Sequence, residues 1–93
     1  MLEKEVEKNL VKQVKNRGGI CPKFVSPGFD GMPDRLILLP GGKIAFAELK
    51  APGKKPRALQ VSRLNLLKRL GFKSYVIDQK DQIGEILNEV SST

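Results

Sequence analysis

Asp34, Glu48 and Lys50 are the residues of this chain whose types and spacing could do chemistry. They flank two apolar runs, Leu36–Leu39 and Ile44–Leu49, which read as short buried strands joined by a Pro40-Gly41-Gly42 turn. Residues two apart on a strand share a face. Ile44, Phe46, Glu48 and Lys50 therefore point one way, and Ala45, Ala47 and Leu49 the other. A hairpin centred on Gly41 sets residues equidistant from it opposite each other, so Asp34 faces Glu48 unless a bulge shifts the register. Directly opposed like charges destabilise a sheet, and carboxylates leaving water are costly unless paired. A divalent cation between them would remove that repulsion. Mg²⁺ suits the pair, because it prefers oxygen ligands and often takes only one or two carboxylates plus substrate phosphate. Lys50 beside it could orient or deprotonate an attacking water, or stabilise charge developing on phosphate.

These residues also carry a resemblance. Pro33-Asp34 followed by Glu48-Leu49-Lys50 resembles the PD-(D/E)xK nuclease signature, a string that recurs by chance when it stands alone. The fuller set, Gly31-Met32-Pro33-Asp34-Arg35, Leu38-Leu39-Pro40-Gly41-Gly42, Glu48-Leu49-Lys50 and Gln60, resembles the VRR-NUC branch of that superfamily. Lys23-Phe24-Val25-Ser26-Pro27-Gly28 and the opening helix also look like the stand-alone viral and bacterial members, so the similarity covers most of the chain. The resemblance implies an α/β, restriction-endonuclease-like αβββαβ core with a mixed sheet flanked by helices. It implies Mg²⁺ or Mn²⁺ held by Asp34, Glu48 and the main-chain carbonyl of Leu49, and an acidic residue from the first helix brought towards the metal. Glu3 and Glu7 are the candidates, with Glu3 slightly better placed by helical geometry.

The elements that must position these groups follow in chain order. Leu2–Asn16 reads as a helix, with Leu2, Val6, Leu10 and Val14 at four-residue spacing and Arg17-Gly18-Gly19 ending it. Ile20–Val25 is a plausible first strand containing Lys23, and Ser26–Gly31 a loop leading straight into Pro33-Asp34. Ala51–Pro56 is a cationic loop whose Lys54 and Lys55 would meet phosphates beside the metal. Arg57–Leu70 makes a second helix, with Leu59, Leu66, Leu67 and Leu70 on one side and Gln60 on the flank shared with Leu64 and Leu67. A glutamine there can reach a phosphate or a water through its amide, or cap a backbone group; its match to the family position favours the first. Lys73–Asp78 is the last strand and Gln82–Val90 a final short helix, after which Ser91–Thr93 should fray. Lys23, Lys54, Lys55 and Arg57 are the candidate DNA contacts.

Composition bounds the partners. Ninety-three residues, 40% of them hydrophobic, make one domain (1–93) with a single modest core. Lysines and arginines number 17 against 10 acidic residues, a formal charge of +7 that favours a polyanion such as nucleic acid. Cys21 alone forms no internal disulfide or zinc site and reads as a small hydrophobe within a strand. The absence of histidine excludes Ser-His and Cys-His hydrolases and His-ligated zinc enzymes. With no signal peptide and no membrane-length apolar run, a cytoplasmic protein of a bacterial or phage-infected cell is expected.

The function these readings favour is metal-dependent hydrolysis of DNA phosphodiesters. One tyrosine, four phenylalanines and no tryptophan make a stacking channel for single strands inevident. Stand-alone VRR-NUC proteins resemble archaeal junction-resolving enzymes in forming small dimers, which implies a homodimer acting on four-way (Holliday) junctions. The larger eukaryotic relatives act on flaps, so flap or branched-duplex cleavage is the alternative. A DNA-binding module with a vestigial site leaves the full Asp, Glu, Lys and Gln set unexplained, and an RNA-binding basic protein leaves the Asp34–Glu48 opposition unexplained.

Overall fold

Val6, Leu10 and Val14 recur every four residues, and they form the fully buried stripe of helix α1 (Glu3–Asn16) in the computed structural model, which describes residues 2–92. Leu2 caps this helix and stays exposed. Strand β1 (Arg35–Leu39) pairs antiparallel with β2 (Lys43–Leu49). Helix α2 (Ala58–Arg69) crosses to β3 (Lys73–Ile77), which lies parallel to β2. A 3₁₀ turn, Lys80–Gln82, leads into α3 (Ile83–Ser91). The sheet order is β1-β2-β3, a mixed α/β architecture.

The turn sets the register. Leu39 pairs with Lys43, and the pairing runs outwards to Arg35 with Ala47, which centres the hairpin on Gly41. Gly41 and Gly42 adopt φ of 86° and 74°, a left-handed conformation that costs other residues about 1–2 kcal/mol each. Two faces result. Ile37, Leu39, Ala45, Ala47, Leu49 and Ile77 form one core with the buried residues of α1 and α3. The two alanines let the helices approach the central strand. Truncating Leu10 at the middle of this layer should cost about 2–5 kcal/mol.

The other face carries Phe46 in edge-to-face contact with Phe24 and Phe72, both at 5.7 Å between centroids. Helix α2 lies over this side, where Ser74 Oγ donates to the Leu64 carbonyl at 3.0 Å.

Three expectations need correction. Ile20–Val25 is not a strand: it makes isolated bridges from Ile20 to Leu38 and from Lys23 to Arg35. Pro22 has no N–H to give, so only its carbonyl joins β1, accepting from Leu36 N–H at 3.0 Å. Cys21 sits in this broken edge, buried against the core, and burial pushes its thiol up to about 11. Second, α2 buries Gln60, Leu64 and Leu67, whereas Leu59 and Leu70 are exposed. The flank carrying the glutamine is the one that packs. Third, the last helix begins at Ile83 after the 3₁₀ turn and includes Ser91, while Ser92 Oγ donates to the Glu89 carbonyl. Thr93 lies outside the described residues.

Candidate active site

The apolar face of β2 ends in a carboxylate. Glu48 follows Phe46 on the α2 side of the sheet and is only 1% exposed. Its Oε2 accepts from Gln60 Nε2 at 2.8 Å and lies 3.4 Å from Lys50 Nζ. Its Oε1 is buried and has no hydrogen-bond partner. Asp34 precedes β1 by one position, next in register after the Arg35–Ala47 pair, which sets it across from Glu48. Burial first, then the charge of Asp34, pushes the Glu48 carboxyl up to about 6; Lys50 pulls it down and Glu3 adds a smaller push upward.

Backbone bonds hold the other groups. Asp34 Oδ2 accepts from Leu49 N–H at 2.9 Å, and its carbonyl accepts from Phe24 N–H at 2.8 Å. The N–H and C=O of one strand residue point to the same side, so the Leu49 carbonyl also faces the Asp34 side. Lys50 N–H donates to Ile77 at 3.0 Å, anchoring the residue to β3 while its side chain bends over Glu48.

Gln60 is buried at the start of α2, and its orientation follows from one neighbour. Arg57 N–H donates to Gln60 Oε1 at 2.8 Å, which leaves the amide N–H₂ for Glu48. The glutamine therefore both caps its helix and holds Glu48, with each end occupied.

The two helix acids separate cleanly. Glu7 accepts from Arg35 Nε at 2.8 Å, and Arg35 Nη1 also donates to the Cys21 carbonyl at 2.7 Å. This clamp fastens α1 to β1. Glu3, one turn earlier, stays exposed yet close enough for its charge to act on Glu48. Sequence reasoning left Arg35 without a role of its own; its side chain alternates to the face opposite Asp34, and that alternation was the available signal.

The cations are not all gathered. Lys54, Lys55 and Arg57 are exposed on the segment beyond Lys50. That loop is pinned, because Lys54 N–H donates to the Ala51 carbonyl and Gly53 N–H to Asp78 Oδ2. Lys23 is exposed too, but it bridges opposite Arg35 and so stands on the α1 face, away from the Asp34–Glu48 face.

Among the described residues, no three Asp, Glu, Cys or His side chains cluster as a ready-made metal cage. Asp34 and Glu48 nevertheless offer the oxygen ligands that a hard divalent cation takes. A buried carboxylate oxygen without a donor is costly, and a cation beside Glu48 Oε1 would complete it. An ion that keeps several waters needs no more than two carboxylates and a carbonyl.

No family model matches the chain. It is similar to "Putative nuclease p44" of Acyrthosiphon pisum secondary endosymbiont phage 1, with 51% identity over 79 residues that cover 85% of each protein. It is also similar to a solved structure described as a VRR_NUC domain, with a TM-score of 0.85 and 28% identity, covering 92% of this chain and 94% of that one.

Proposed function

Because the chain belongs to the VRR-NUC family and is a nuclease of that type, we propose that it is a metal-dependent, structure-selective DNA endonuclease acting on four-way junctions as a homodimer. The observation that carries the metal reading is the buried Glu48 carboxylate, one oxygen partnerless, set across from Asp34 and under Lys50. Asp34, Glu48 and the Leu49 carbonyl, with Glu3 as an outer ligand, would hold Mg²⁺ or Mn²⁺. Such an ion supplies positive charge against the scissile phosphate and lowers the pKa of water. Lys50 orients the attacking water and offsets negative charge as the phosphorus–oxygen bond breaks. Gln60 keeps Glu48 in one rotamer, so its free oxygen stays aimed at the cation. Lys54, Lys55 and Arg57 bind the flanking phosphates.

Two linked sites suit paired cuts in a symmetric junction. Exposed Ile44 and Phe72, which stand together beside the hairpin turn, and Leu70 at the end of α2 supply apolar surface that a two-fold interface would cover. The test is nicking of labelled duplex, flap and four-way junction with Mg²⁺, Mn²⁺ or EDTA, alongside light scattering of the free protein. Asp34→Asn should abolish cleavage and leave DNA binding largely intact, because it removes a ligand charge but no basic surface. A strict monomer without junction preference would sink the resolvase reading and leave flap or branched-duplex nicking. Cleavage undiminished in EDTA would sink the metal site.

A further inference from the structure

Large aromatic side chains usually bury most of their surface, yet Phe29 keeps 43% of its own exposed in the loop between Phe24 and Asp34. That loop is not slack. Phe24 N–H closes its base on the Asp34 carbonyl at 2.8 Å, and Phe29 N–H folds its tip onto the Ser26 carbonyl at 3.1 Å. Arg63 of α2 then reaches across: its guanidinium carbon lies 4.0 Å from the Phe29 ring centroid, and its Nε donates to the Asp30 carbonyl at 2.8 Å. Gly31 lets the loop lie directly on α2, since a Cβ there would come within 2.7 Å of Leu59 Cγ. The guanidinium occupies one face of the ring, so the exposure falls on the opposite face and rim. A Cβ at neighbouring Gly28 would meet nothing within 4 Å.

Helix α2 relates this ring to the carboxylates. Gln60 donates to Glu48, and Arg63 stands three residues further on the same helix. Phe29 also stands five residues before Asp34, in a loop whose base closes on the Asp34 carbonyl, and the residue that clamps its ring lies about one helical turn beyond Gln60. Stacked nucleotides advance by about 3.4 Å along a strand. A phosphate held between Asp34 and Glu48 would therefore bring bases only a few steps away to the ring. Inside a continuous duplex, both faces of each base are covered by its neighbours. At a branch, a flap or a frayed end, a base has a face to offer. With the whole chain's formal charge of +7 drawing in the backbone, a nucleobase is the chemistry that suits a clamped, half-exposed ring.

We propose that the outer face of Phe29, backed by Arg63, is a stacking platform for an unpaired nucleobase within about three nucleotides of the scissile phosphate. The proposal rests on the nuclease reading above and deepens it by naming what distinguishes branched DNA from duplex. One platform grips one base, which differs from a channel that threads a long single strand.

The experiment walks 2-aminopurine through the three nucleotides on either side of the branch point in a four-way junction and a flap. The full chain is added with Ca²⁺, and fluorescence and affinity are read. The wild-type protein should change the fluorescence strongly at one position. Phe29→Leu keeps apolar volume but has no π-face; it should lose that change and bind the same DNA about tenfold more weakly. Phe29→Trp should retain both. Cleavage of the same DNAs by the wild-type protein with Mn²⁺ reports separately on the nuclease reading. Cleavage with no responsive position, or Phe29→Leu behaving as wild type, overturns the platform and leaves the nuclease standing. A responsive position lost in Phe29→Leu, without cleavage under any metal, keeps the platform and overturns the nuclease.

Discussion

Replacing Glu48 with glutamine should make the metal-free protein more stable at neutral pH. Burial and Asp34 hold the Glu48 carboxyl at about 6 against an ordinary 4.5. At 1.36 kcal/mol per pH unit, that difference of about 1.5 is worth roughly 2 kcal/mol. The folded state binds the proton more tightly than the unfolded state, so the effect favours folding at acid pH. It fades as pH rises through the interval from 4.5 to 6, and above it the ionised carboxylate bears the full penalty. Glutamine keeps an acceptor for Gln60 Nε2 and carries no charge for Asp34 to repel. A domain of this size shifts its Tm by about 4–8 °C per kcal/mol. Melts in EDTA near pH 7.5 should thus show Glu48→Gln higher by on the order of 10 °C, with the gap closing near pH 4. Saturating Mn²⁺ should reverse the order, because a ligand at a hundredfold its Kd adds about 2.7 kcal/mol to the protein that binds it. A variant less stable than wild type in EDTA at pH 7.5, or a gap indifferent to pH, would refute this account of Glu48.

The remaining predictions address its neighbours. Lys50→Ala should lose turnover more than metal affinity, since the ammonium acts on the transition state; single-turnover cleavage near the wild-type rate would make it only a surface charge. Gln60→Ala should cost about 1–3 kcal/mol in urea unfolding and slow cleavage as well, because it strips partners from both the Arg57 N–H and Glu48 Oε2; a stability loss without any change in cleavage would confine it to helix capping. Lys54→Gln with Lys55→Gln should flatten the slope of log affinity against log salt by about 1.8 if both contact duplex phosphates, and an unchanged slope would remove the loop from the DNA interface.

The hairpin was legible because its determinants are local. A three-residue turn with two left-handed glycines leaves one register, and strand alternation then orders the side chains of β2 by face. The Asp34–Glu48 opposition follows from that register and the shared face of Glu48 and Lys50 from alternation, whereas the bend of the Lys50 side chain onto Glu48 is seen only in the structure. The amphipathic stripe of α1 was equally readable, since Val6, Leu10 and Val14 leave a helix only one way to bury them.

What tertiary structure decided are the choices between neighbours of similar character. Leucines on two flanks of α2 made either face available for packing. The sheet took the flank with Gln60, whose amide meets a carboxylate that is itself buried. Glu3 and Glu7 share a helix face, and they part only because Arg35, distant in sequence, claims Glu7. A single proline turned an expected strand into two bridges by withholding one N–H. Phe29 looked like one loop residue among several until Arg63 crossed 34 positions of sequence to meet its ring. Pattern along a chain reports which face a residue shares with its near neighbours. Which distant side chain arrives opposite that face depends on the packing of whole helices, and the partners that set the candidate site's charge and its exposed ring are of that kind.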